Sequence, residues 1–111
     1  MVPDQIAGDL PIKSLFADDE LIGEILPAYV NNLSKYVQDL RQHIGAGDWL
    51  AAAKVCHDLK GTAGGYGYPQ LGAAAQQLEA ELKGMHAPIE LSRLLEQLAT
   101  LCRQALLGLT H

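Results

Sequence analysis

The sequence predicts an all-α protein, an antiparallel up-down four-helix bundle with a short, partly helical N-terminal lead-in. Apolar residues recur at intervals of three and four along four stretches, which is the period of a buried helix face. Short runs carrying glycine or proline, residues 45–47, 64–68 and 84–88, separate those stretches. No segment alternates apolar and polar residues as a half-buried strand does. Amphipathic helices joined by such short connections bury their stripes by packing against their sequence neighbours in antiparallel fashion.

Residues 1–11 show no period and read as a loose lead-in punctuated by Pro3 and Pro11; the bundle domain is expected over residues 12–111. Ser14, Leu15 and Phe16 form a short turn that would pack Phe16, the only phenylalanine, against the domain. The first long helix starts near Asp19 and carries Ile22, Ile25, Leu26, Tyr29, Leu33, Tyr36, Val37, Leu40 and Ile44. Pro27 removes one of its hydrogen bonds and crowds the preceding turn, so a kink or break is expected near Leu26.

Asp48 is placed to cap a second helix with the stripe Trp49, Ala52, Ala53, Cys56, Leu59 and Ala63. Pro69 suits the first position of a third, whose stripe is Leu71, Ala74, Ala75, Leu78 and Leu82. Small residues on both should allow close packing. Pro88 opens the last helix, with Leu91, Leu94, Leu95, Leu98, Leu101, Cys102, Ala105 and Leu106 facing inward.

A chain of 111 residues holds one core and one site. Its 13 acidic against 8 basic residues, a formal charge of −5 and the absence of any Lys/Arg run disfavour nucleic acid as a partner. The first fifteen residues lack the basic start and apolar core of a signal peptide, so a cytoplasmic location is expected. The longest uncharged run, residues 61–78, is interrupted by glycines, Pro69 and glutamines; no membrane span is expected. Cys56 and Cys102 read as reduced core residues rather than a disulfide or a reactive thiol.

The chemistry concentrates in His57-Asp58-Leu59-Lys60-Gly61-Thr62-Ala63. Residues three and four apart are neighbours on a helix, so Lys60 and Gly61 both adjoin His57, and Lys54 and Gly64 complete a low, weakly basic surface. An exposed imidazole with a reference pKa of roughly 6.5 offers a nitrogen lone pair at neutral pH, a nucleophile suited to phosphorus. Glycine inside a helix costs about 1 kcal/mol relative to alanine. Access to His57 is a reason for that cost at Gly61. Gln76, Gln77 and Glu79 flank the stripe of the third helix, within reach of the ring.

Other chemistries fit less well. Adjacent Cys56 and His57 point in different directions, and no His or Cys pair has the spacing that one helix offers a metal, so no metal site is expected. The glycine turn at residues 64–67 lacks the lysine and the preceding strand of a phosphate-binding loop. His43, His86 and His111 read as solvent-facing or linker residues.

His57-x-Leu59-Lys60-Gly61-Thr62-Ala63, followed by Gly67, Leu71, Ala74 and Leu78-Glu79, closely resembles the signature of histidine-containing phosphotransfer (HPt) domains. The resemblance implies a four-helix bundle whose histidine, here His57, takes a phosphoryl group from one receiver-domain aspartate and passes it to another. It further implies that Lys60 assists at the phosphate, that Gly61 keeps the docking surface open, and that Glu79 accepts the Nδ1 proton, with Gln76 one turn earlier as a second candidate. The implied partners are response-regulator receiver domains and a hybrid sensor histidine kinase. Magnesium would sit on the receiver and no cofactor on this chain, which is expected to be a monomer without ATP-dependent kinase activity. A helical adaptor that docks receivers without carrying phosphate is the alternative.

Overall fold

Asp19 opens the first helix by accepting from the backbone N–H groups of Leu21 and Ile22, both at 2.9 Å, which satisfies two donors that an uncapped first turn leaves free. The computed structural model describes residues 10–110, so most of the expected lead-in, residues 1–9, and His111 lie outside the described residues. Five helical segments follow: α1 Glu20–Asn31, α2 Leu33–Gly45, α3 Trp49–Gly65, α4 Pro69–Lys83 and α5 Pro88–Thr110. No strand occurs among the described residues. No helix is long and apolar enough to cross a membrane, again among the described residues.

The long first helix is broken, but not near Leu26. Pro27 lies inside α1 and the break falls at Asn32. Pro27 is exposed, on the solvent side that forms the convex face when a helix curves around its core. At Asn31 the side-chain Nδ2 donates to the Pro27 carbonyl at 2.7 Å, a local bond that competes with the backbone ladder. The Asn32 N–H is shared between the Ala28 and Tyr29 carbonyls, and Lys35 N–H returns to Asn32 O at 3.1 Å, so the chain tightens through one residue and resumes as α2.

The core is built from the expected stripes, with Leu33, Leu40, Cys56, Leu59, Leu78, Leu82 and Leu98 fully buried. The most extensive helix pair is α3 with α4. Ala52, Ala53 and Ala63 on α3 and Gly72, Ala74 and Ala75 on α4 are all buried, and a Cβ at Gly72 would already touch the Lys60 carbonyl at 3.6 Å and the Ala63 Cβ at 3.9 Å. That closeness brings the side chains on the rim of the pair within reach of one another. Cys56 and Cys102 are free thiols, buried, with burial pushing each up to about 12.

Three expectations about packing change. Ile25, expected on the stripe of the first helix, is 46% exposed, while Leu26 and Tyr29 beside it are buried. Leu106 is 46% exposed, because the end of α5 turns Ala105 and Gly108 inward, where the Ile12 backbone covers Gly108. Residues 12–16 are tied across the bundle less by Phe16, still 40% exposed, than by the backbone and Ser14. Ile12 N–H donates to Gln104 O at 2.9 Å and Leu15 N–H to Gly67 O at 2.8 Å. Buried Ser14 donates to the Tyr66 carbonyl and accepts from Phe16 N–H. His86 does lie in the linker between α4 and α5, but its half-buried ring stacks on Trp49 at 4.8 Å.

Candidate functional site

Asp48 starts α3 by accepting from Ala51 N–H, and His57 follows in the middle of that helix, beside the buried row of Ala53, Cys56 and Leu59. Its side chain is 67% exposed. Across the close α3–α4 contact stands Glu79, buried at the edge of the α4 stripe. Its Oε2 lies 3.4 Å from His57 Nδ1, and its Oε1 lies 3.7 Å from Lys60 Nζ. Lys83, one turn further along α4, places Nζ 3.0 Å from the same Oε2 that faces His57.

Burial raises the Glu79 carboxyl, but Lys83, Lys60 and His57 together outweigh it and hold the group below the usual carboxylate range. A carboxylate beside Nδ1 favours the tautomer that carries its proton there, leaving Nε2 with the free lone pair. The exposed edge of the ring is then the nucleophilic one.

On one side of His57 the helix surface is bare: Gly61 and Gly64 are exposed, with nothing within 4 Å of where a Cβ would stand. On the other side an open groove of about 600 Å³ runs past Leu50, Ala51, Lys54, His57, Glu79 and Lys83. Beneath the bare surface, Thr62 gives its hydroxyl proton to the Leu59 carbonyl and so accepts from Tyr29 OH at 3.0 Å. Tyr29 stacks on Tyr66 with ring centroids 4.0 Å apart, which ties α1 to the turn that follows α3.

Of the residues singled out from sequence, His57, Lys60 and Glu79 come together, while Lys54, Gly61 and Gly64 surround them. Gln76 is exposed on α4, and the carboxylate at Nδ1 is that of Glu79. Lys83 reads from the sequence only as a further basic residue near the end of its helix, although its i,i+4 spacing from Glu79 is the signal that pairs the two. No group of three metal-ligating side chains occurs among the described residues.

The family model of the Hpt domain matches residues 24–107, about three quarters of the chain. The chain belongs to the Hpt domain family. No curated protein and no solved structure matches it. Hpt domains are phosphocarriers of phosphorelays, working with receiver domains and kinases without being kinases themselves. This Hpt domain is accordingly a helical bundle with a histidine phosphotransfer role of that general kind.

Proposed function

We propose that this Hpt domain relays a phosphoryl group between receiver-domain aspartates through a phosphohistidine at Nε2 of His57. The observation that carries the reading is the exposed ring with Nδ1 3.4 Å from the Glu79 carboxylate. In the uptake step the lone pair of Nε2 attacks phosphorus, the N–P bond forms, and the P–O bond to the receiver aspartate breaks. The electron pair of that bond leaves on the aspartate carboxylate. Nδ1 keeps its proton, and the positive charge left on the ring faces Glu79. Delivery is the reverse step on a second receiver.

Positioning and charge neutralisation dominate such transfers. Lys60, on the turn after His57, is the cation this chain brings to the phosphoryl oxygens; magnesium belongs to the receiver. Gly61 and Gly64 leave the receiver room to approach. The carrier works as a cytoplasmic monomer between a hybrid sensor histidine kinase and a further receiver. Its helices run antiparallel, a topology supported by connections of three or four residues between α2 and α3, α3 and α4, and α4 and α5.

Incubation with a panel of phosphorylated receivers and magnesium tests the proposal. The expected result is acid-labile, alkali-stable label on the wild type and none on His57→Gln. Label on His57→Gln would refute the site, and a folded wild type that binds receivers without taking label would favour the phosphate-independent adaptor.

A further inference from the structure

Three groups converge on one carboxylate, and two of them share one oxygen. Oε2 of Glu79 faces both His57 Nδ1 at 3.4 Å and Lys83 Nζ at 3.0 Å, while Oε1 faces Lys60 at 3.7 Å. We propose that Lys83 is a positioning residue for His57: by pairing with Oε2 it fixes that oxygen opposite Nδ1, so that Nε2 is the ring nitrogen left open to phosphorus. The inference rests on the phosphocarrier reading for its purpose, but not for its geometry.

Glu79 has rotatable bonds of its own and three candidate partners, so its aim is decided by which partners hold it. Lys60 approaches from α3 on the far oxygen, and alone it would draw the carboxylate away from the ring. Lys83 sits one turn along the same helix, a spacing at which an acid and a base four residues apart meet without strain. It pulls the near oxygen toward the groove that His57 also lines. A carboxylate oxygen has lone pairs enough to accept from an ammonium and an imidazole N–H together.

The charged and titratable groups acting on Glu79 are Lys83 from α4 and Lys60 and His57 from α3. The Cys56 thiol of α3 also feels its charge. Among the described residues no charged side chain of α5, the other helix packed on α4, acts on it. Lys83 is therefore the one cation that both shares the oxygen facing Nδ1 and lies on the helix that carries Glu79. Its side chain is 63% exposed, so replacing it opens no cavity.

The test combines ¹⁵N NMR of the His57 imidazole with phosphate uptake from a receiver, on the wild type, Lys83→Met, Lys83→Arg and Glu79→Ala, with thermal melts to show that each is folded. The wild type should hold mainly the Nδ1–H tautomer. Lys83→Met should move the ring toward Nε2–H, in the direction of Glu79→Ala, and slow uptake about tenfold, as removal of an orienting partner does elsewhere. Lys83→Arg should restore both. An unchanged tautomer in Lys83→Met overturns the proposal, even with uptake slowed, because Lys83 would then act on phosphate directly. A tautomer that responds to Lys83 in a wild type no receiver can label would uphold the positioning role and sink the phosphocarrier reading instead.

Discussion

A carboxylate that gives up its water remains an anion only where other charges replace what it lost. At Glu79 the replacement comes from Lys83, Lys60 and His57, and the group is held below the ordinary carboxylate range. The unfolded chain has a reference value of roughly 4.3 for glutamate, so a depressed folded value adds stability that is complete above that pH. The gain is lost as pH falls through the folded value. Urea melts between pH 7 and pH 3 should therefore show the wild type losing more stability on acidification than Glu79→Gln. Equal losses would mean that the pairing adds nothing to folding. The glutamine retains an oxygen able to accept from Nδ1, so Glu79→Gln should also keep most phosphate uptake, whereas Glu79→Ala should lose about tenfold. The meeting of His57, Lys60 and Glu79 was legible in part from helical spacing, which sets Lys60 beside His57, and for Glu79, on another helix, through the family resemblance. Gln76, named one turn earlier on α4, is exposed, and it is Glu79 that lies against Nδ1. Lys83 was left outside the site because a lysine near a helix end reads as solvated until the acid four residues earlier is known to be buried.

Two glycines show how the same residue type serves different ends in neighbouring elements. Gly61 lies inside α3 with open space above it, so Gly61→Ala meets no steric obstacle and should stabilise the fold by up to about 1 kcal/mol of helix propensity. The added methyl stands on the surface a receiver must approach, and uptake should fall about tenfold or more, since small misplacements of reacting groups carry large kinetic costs. A more stable variant with unchanged uptake would remove Gly61 from the docking surface. Gly67, in the α3–α4 connection, has φ +86 and lies against Ser14 and the Leu15 backbone. Gly67→Ala adds about 1–2 kcal/mol of backbone strain to a collision with that segment, so its thermal midpoint should drop while Gly61→Ala rises. Helix stripes and their glycine ends were readable because burial period and turn chemistry are local. The break at Asn32 was not, because it depends on where the Asn31 side chain finds a carbonyl, and Pro27 alone points to the wrong turn.

At the scale of the whole molecule the open question is where the independent unit starts. The family match begins at residue 24, yet bonds that span the fold begin at Ile12. The segment ahead of α1 bonds to Gln104 near the end of α5 and to Tyr66 and Gly67 between α3 and α4, joining elements far apart in sequence. Such long-range ties leave no periodic trace, which is why the sequence offered only a short turn and a single aromatic there. Ser14 is the test of their weight. Removing its hydroxyl leaves the Tyr66 carbonyl and the Phe16 N–H without their partner in a part-buried setting, a change worth about 1 kcal/mol, the low end for a lost partner. Ser14→Ala should therefore lower the urea midpoint clearly. A version starting at residue 19, which lacks all of these bonds, should fall further while keeping the His57–Glu79 pair assembled on α3 and α4. If that shortened chain is as stable as the full one, the family boundary is the physical boundary and the segment ahead of α1 is an ornament. If it is destabilised but still takes up phosphate, the bundle end that the segment clasps and the site in the middle of α3 are separable parts of one fold.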